Sequence, residues 1–348
     1  MIERIYGVVD EIRREHVPDP RVGVFEVDVA RENSTLVVFG ASSVPAAVEA
    51  LRNRIATLEI DLEVRDEVQR LPSEERGSPH AIVIAATAPM LAGPLISEPP
   101  LSQALLGHRV TVLRDHGRWH QCRSSDGYLG WIHRGYLRCV SEAEARAWEI
   151  GSEGTMHISL GADFVTAQDR VAVRLPWGAR VAVADGTAIL PDGRTGEVRG
   201  AAVPVADLPV RFPADGRAVV RTAQGWEGTP YLWGGITQCG ADCSGLVQAI
   251  FRLHGIDLPR DSDQQADLGE EVPIEGDDFR PVRPGDLLFF AERRDRISHV
   301  AISLGGSRIL HSAVGNGGVC INDLTADTGY ERELRQLLVV ARRIIPEP

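Results

Sequence analysis

Cys243 follows Asp242 and precedes Ser244 and Gly245, ahead of a helical apolar pattern carried by Leu246, Val247, Ile250 and Phe251. Asp is a strong N-cap, so Cys243 is expected in the first turn of an amphipathic helix. Unpaired amides and the positive end of the helix dipole favour a thiolate there, which predicts a thiol pKa below its free value of about 8.5. Gly245 is expected to leave the approach to the sulfur open. A buried structural thiol is the competing reading, yet an inert core cysteine needs neither an Asp cap nor flanking Ser and Gly.

A nucleophilic thiol needs a base, and the base needs an orienting partner. Between Ser298 and Ser312, His299 opens one apolar strand and His311 closes the next, with Gly305-Gly306 at the turn. A three-residue loop, Leu304 to Gly306, sets His299 directly opposite His311 on one face of the sheet. A two-residue loop sets His299 against Ser312 instead. Cys239, Cys243, His254, His299 and His311 also supply the ligand types for zinc, but their spacing fits neither paired C-x2-C nor H-E-x-x-H. Neither a metal nor a cofactor is expected.

The chain has 348 residues and a formal net charge of −12. That disfavours non-specific nucleic-acid binding, which needs a basic surface. No apolar run reaches the roughly 18–20 residues of a membrane span. The N-terminus shows no basic segment followed by an apolar one, and five cysteines are an odd number. A cytoplasmic location with reduced thiols is therefore expected, with Cys122–Cys139 the one pair to check.

Residues 1–90 read as a small α/β domain without a catalytic motif. Strands are expected at Val22–Val29 and Thr35–Phe39. A helix follows through Val44, Val48, Leu51, Ile55 and Leu58, with Ser43 as candidate cap, then a third strand through Ile60, Leu62 and Val64. Ala81 to Ala92 reads as one buried strand. Residues 91–145 and 146–210 are two all-β segments broken by Gly turns, joined by a helix with capping-box spacing at Ser141 and Glu144. Residues 211–348 predict helices at Ala214–Gln224 and Cys243–His254, then strands at Asp286–Phe290, His299–Leu304 and Arg308–Ser312, an α+β arrangement.

Through Ser102-Gln-Ala-Leu-Leu-Gly107 and Gly127-Tyr-Leu-Gly-Trp131 the first β segment resembles a bacterial SH3 domain, and the second resembles it more weakly. From about Gly216 to Ile345 six blocks occur in order: Tyr231-x-Trp-Gly-Gly235, Asp242-Cys-Ser-Gly245, Leu258-Pro-Arg-Asp261 with Gln265, Arg283-Pro-Gly-Asp-Leu287, Ser298-His-Val300 and Leu310-His-Ser312. Together they resemble the NlpC/P60 cysteine peptidases. The resemblance implies an α+β multidomain chain: an N-terminal α/β segment, two SH3-like β-barrels and a papain-like domain whose Cys-bearing helix packs on an antiparallel sheet. It further implies Cys243 as nucleophile, His299 as general base, His311 as the group orienting it, and Tyr231 in the oxyanion hole.

The layout is similar to YkfC-type γ-D-glutamyl-L-diamino acid endopeptidases, which act on murein peptides with a free N-terminal L-Ala. That likeness places Asp242, Ser244, Ser262, Tyr128 and Trp233 with the substrate-binding residues, and Glu98 as the acidic residue ahead of the first SH3-like domain. A groove closed at one end by a carboxylate would reject peptides lacking the amine, since an unpaired buried charge is costly. The expected partner is a murein-derived peptide in wall-peptide recycling. The alternatives are amide hydrolysis or acyl transfer on a non-murein substrate, or a non-catalytic holder of wall fragments.

Overall fold

The computed structural model describes residues 2–58, 62–152, 154–292 and 296–346. The chain opens with a helix, α1 (Ile2–His16), whose Ile5, Val8, Val9 and Ile12 form one buried stripe. Then come β1 (Phe25–Glu32), β2 (Thr35–Ser42), α2 (Pro45–Ala56) and β3 (Glu63–Arg70), with β1 antiparallel and β3 parallel to β2. Ser43 does not cap α2. Its Oγ accepts the Val24 N–H at 3.0 Å, and Val44 stands at the N-cap ahead of Pro45. In β3 the buried side chain is Val68, while Val64 is exposed. Ile60 lies outside the described residues.

The expected single strand over 81–92 is two strands, β4 (His80–Val83) and β5 (Thr87–Leu91), because the chain turns between them. With β6 (Pro100–Leu105), β7 (Arg109–His116), β8 (Trp119–Arg123), β9 (Leu129–His133) and β10 (Leu137–Val140) they make a seven-stranded sheet, ordered β10-β4-β7-β8-β9-β5-β6. That sheet starts at His80 rather than 91, since β4 pairs with both β7 and β10. Helix α3 (Glu142–Glu149) carries the Ser141–Glu144 capping box and donates Trp148 Nε1–H to the Gly107 carbonyl at 2.8 Å. A second sheet follows: β11 (Thr155–Ser159), β12 (Asp163–Val165), β13 (Val171–Arg174), β14 (Arg180–Ala184), β15 (Thr187–Ile189), β16 (Thr195–Arg199) and β17 (Ala202–Pro204). All five cysteines are free; Cys122 is buried and Cys139 exposed.

The C-terminal part holds α4 (Leu208–Arg211), α5 (Gly216–Gln224), β18 (Ile236–Thr237), β19 (Gly240–Ala241), α6 (Cys243–Leu253) and α7 (Ser262–Ala266). It continues through β20 (Glu270–Val272), β21 (Leu287–Phe290), β22 (His299–Gly305), β23 (Arg308–Ala313), β24 (Gly318–Asp323), α8 (Gly329–Gln336) and β25 (Leu338–Arg343). Its sheet runs β20-β25-β21-β22-β23-β24, so the last strand returns to lie between β20 and β21. Leu246, Val247, Ile250 and Phe251 of α6 are fully buried in one core with Phe289, Val300, Ile302 and Leu310 of the sheet. Each is worth roughly 1.5–3 kcal/mol over exposure, enough to fix the helix on the sheet. The multidomain α+β class is the one expected. No helix among the described residues is long and apolar enough to cross a membrane.

Candidate active site

Asp242 is the N-cap of α6, and its Oδ1 accepts the Gly245 N–H at 2.7 Å. Oδ2 accepts the Gly234 N–H at 2.8 Å, which folds the Trp-Gly-Gly loop onto the cap. The same carboxylate takes both arms of Arg260, Nη1 to Oδ1 at 3.0 Å and Nη2 to Oδ2 at 2.6 Å. Arg260 is 1% exposed and also donates to Ser244 Oγ and, from Nε, to Ser102 Oγ on β6. Gly245 has a different job from the one expected. A Cβ there would sit 2.2 Å from the Gly235 carbonyl, so its smallness admits that loop rather than opening the sulfur.

Cys243 lies in the first turn of α6, and the backbone amides of Val300 and Ser244 favour its thiolate. Val300 follows His299 on β22, so the thiol sits at the end of the strand that carries the imidazole. Ser312 Oγ–H donates to the Ala241 carbonyl at 2.7 Å, pinning β23 to the chain just before Cys243.

The two histidines are not directly opposite. The pairs Ile302↔Leu310 and Ser303↔Ile309 shift the register two residues from the expected one, because Leu304 is bulged and the turn lies at Gly306-Ser307. A shift of two keeps both side chains on one face. His299 Nε2 and His311 Nδ1 are 2.7 Å apart.

The bonds beyond fix the tautomers. Asn322 Nδ2 donates to Glu331 Oε1 at 2.8 Å, which turns its Oδ1 towards His311 Nε2 at 2.9 Å. Asn316 Nδ2 donates to that same oxygen at 3.0 Å. His311 Nε2 therefore carries the proton and His311 Nδ1 accepts. His299 then donates from Nε2 and keeps a lone pair on Nδ1.

The thiol departs from expectation in its acidity. Burial, then the Asp242 carboxylate, push Cys243 up to about 11, against the opposing pull of the Val300 and Ser244 amides and of Arg260. The helix start is outweighed by burial and by the charged cap residue. His299 is held below its ordinary value by burial and by His311, and His311 by burial. The resting pair is a neutral thiol beside a neutral imidazole.

Tyr231 bridges in parallel to Ala241, two residues before Cys243, and its hydroxyl is pushed up to about 12 by burial and by Cys243 and Asp242. Ser262 opens α7, and Gln265 of that helix donates to the Ser244 carbonyl at 3.2 Å. Tyr128 is 4% exposed and donates its hydroxyl to Asp261 Oδ2 at 2.8 Å. Trp233 is 64% exposed on the loop beside the cap. Glu98 lies on the segment before β6, its side chain against Gly93 and without a hydrogen bond or ion pair among the described residues. Pro100, two residues on, packs against Gly234. No cluster of three metal-ligating side chains occurs among the described residues. Arg260 and Asn322 are the residues of this cluster that motif reading passed over; a charged Arg between the Pro and Asp of the Leu-Pro-Arg-Asp block was the available signal for the first.

The NlpC/P60 family model matches residues 228–337, and the bacterial dipeptidyl-peptidase Sh3 domain model matches residues 90–137. A γ-D-glutamyl-L-lysine dipeptidyl-peptidase of Bacillus subtilis (strain 168) is 31% identical over 252 residues, covering 67% of this chain and 78% of that protein. Dipeptidyl-peptidase 6 of Lysinibacillus sphaericus is 26% identical, over 70% of this chain and 92% of the relative. A crystal structure of an NlpC/P60 family protein from Bacillus cereus ATCC 10987 superposes with a TM-score of 0.64 at 22% identity, over 77% of this chain and all of that one, which shows the shared fold.

Replacing Arg260 with Ala should lower stability by about 3–5 kcal/mol in urea titration, because it leaves the Asp242 carboxylate buried and unpaired. A loss under about 1 kcal/mol would mean that the pair is not buried as described. Protonation of His299 removes the lone pair, so kcat/KM should fall with pH through a limb below about 6.5, the free histidine value. With the thiol pushed up to about 11, no alkaline limb should appear at about pH 8.5, where free cysteine titrates. A limb there would mean that the thiol is not held above its free value. Asn322→Asp, placing a carboxylate at His311, should move the acid limb to higher pH.

Proposed function

The chain belongs to the NlpC/P60 family of cysteine peptidases, and from that premise we propose that it hydrolyses murein peptides at the γ-D-Glu–L-diamino acid bond when their N-terminal L-Ala is free. The observation that carries this reading is the joining of the peptidase part to the first β-sheet next to Ser262 and Asp242, through Tyr128 to Asp261 and Ser102 to Arg260. Relatives named as γ-D-glutamyl-L-lysine dipeptidyl-peptidases, at 31% and 28% identity, support the same substrate class.

In this mechanism His299 Nδ1 takes the Cys243 proton as sulfur attacks the γ-carbonyl of D-Glu. The S–C bond forms and the carbonyl π-pair moves to oxygen, where Tyr231 O–H and a nearby amide receive it. His311, held by Asn322, stabilises the imidazolium through His299 Nε2. The imidazolium returns the proton to the amine of the diamino acid, the C–N bond breaks, and a thioester remains. Water, deprotonated by His299, then releases L-Ala-γ-D-Glu and restores the thiol. Asp242, Ser244, Ser262 and Tyr128 line the binding end, with Glu98 and Trp233 at its rim. A free L-Ala amine exists only on stem peptides already detached from glycan, so the reaction belongs to reuse of wall fragments.

Mass spectrometry of L-Ala-γ-D-Glu-L-Lys digests should show L-Ala-γ-D-Glu and lysine. Cys243→Ala should abolish turnover while calorimetry still detects binding, and His299→Ala should cost about three orders of magnitude in kcat. N-acetylation of the peptide should remove most of the activity. Equal cleavage of blocked and free peptides would refute the free-amine requirement and leave the bond assignment standing.

A further inference from the structure

Residues 1–89 lie outside both matched family models. Their fold nevertheless reaches the peptidase part. The loop between α1 and β1 carries Arg21, whose Nη1 bonds Asp261 Oδ2 at 2.9 Å and whose two terminal nitrogens fork onto Asp263 at 2.8 Å each. These two aspartates flank Ser262. Asp261 Oδ2 is also the acceptor of Tyr128. Arg21 is itself clasped by Asp19 through Nε and Nη2, and Asp19 Oδ2 accepts Gln264 Nε2–H at 2.6 Å.

The loop is anchored independently of that side chain. The Arg21 carbonyl accepts the Leu129 N–H at 2.8 Å, next to Tyr128. Val24, Ala41 and Leu71 form a small buried cluster with Leu113 and Leu129 of the first sheet, and Arg114 forks onto Glu26 at 2.6 and 2.7 Å. The N-terminal segment is thus a fixed mount from which Arg21, with Asp19 beside it, reaches the peptidase part. Cys243, His299 and His311 lie on the other side of Arg260 and take no contact from Arg21.

We infer that Arg21 is a positioning residue for the amine end of the groove, holding Asp261, Asp263 and α7 so that Ser262 and the Tyr128–Asp261 pair keep the geometry that receives a free N-terminal ammonium. This rests on the peptide substrate proposed above. Three carboxylates surround one guanidinium, so the cluster keeps an excess of negative charge for the incoming cation while Arg21 prevents the carboxylates from springing apart. The planar fork, not charge alone, does this.

The test is steady-state kinetics of Arg21→Ala, Arg21→Lys and Asp263→Asn on L-Ala-γ-D-Glu-L-Lys and its N-acetylated form, with thermal melts. Arg21→Ala should raise KM about tenfold with kcat within about twofold, and shrink the preference for the free amine. Lys should restore only part of KM, because it lacks the fork. Asp263→Asn should shift KM in the same direction, and the double variant should be no worse than Arg21→Ala, the sign of one shared contact. If the variants are folded and keep wild-type KM and amine preference, the inference is overturned. Should Arg21→Ala fail to fold, Asp263→Asn alone decides between the same two outcomes. Should the wild-type protein leave the free peptide uncut, the substrate reading fails, and this inference with it.

Discussion

The Arg260–Asp242 pair is the constraint on which the site depends. One carboxylate caps the catalytic helix, holds the Trp-Gly-Gly loop and receives a buried guanidinium, using both oxygens for more than one bond each. A carboxylate desolvated there without Arg260 would be an uncompensated charge beside the thiol and would drive its pKa higher still. Arg260 therefore makes an Asp cap compatible with a buried nucleophile. Its Nε bond to Ser102 ties that compensation to the neighbouring sheet.

The chemistry at the other side of the thiol is set by proton direction rather than by charge. Glu331 orients Asn322, Asn322 fixes the tautomer of His311, and His311 fixes that of His299. Each link between these side chains has one donor and one acceptor, so the basic lone pair emerges on one nitrogen only. Beyond the Glu331 carboxylate every member is neutral, and a neutral chain costs less to bury than an ion pair. It also matches the downward shifts of both imidazoles.

Features fixed by local chemistry were legible in the sequence. The Asp242 cap, the amphipathic run of α6 and the apolar runs of β22 and β23 follow from nearest-neighbour rules. The shared face of His299 and His311 survives the difference in register because that difference is two residues. The bulge at Leu304 was not legible, since nothing local distinguishes it from a loop residue. Nor was the rise in the Cys243 pKa, which comes from tertiary burial and from the negative charge of a residue whose spacing reveals only its capping role. Arg260 and Asn322 escaped because their partners are 18 and 11 residues away. Helix α1 was readable from Ile5, Val8, Val9 and Ile12, but carried no chemistry to draw attention to it.

Arg260 and Asp261 are neighbours in sequence and face different parts of the molecule. Arg260 turns inward to Asp242 and Ser244, at the nucleophile, while Asp261 turns outward to Tyr128 and Arg21, at the junction with the first sheet and the N-terminal segment. Gln265 completes the link by bonding both the Pro259 and Ser244 carbonyls. The stretch 259–265 thus joins the end of the groove that would recognise substrate to the helix turn that would react with it. Domains without a catalytic residue of their own are held against the peptidase part through this segment, and also where Gln103 Oε1 accepts the Ile236 N–H and Asp126 Oδ2 accepts Gln248 Nε2–H.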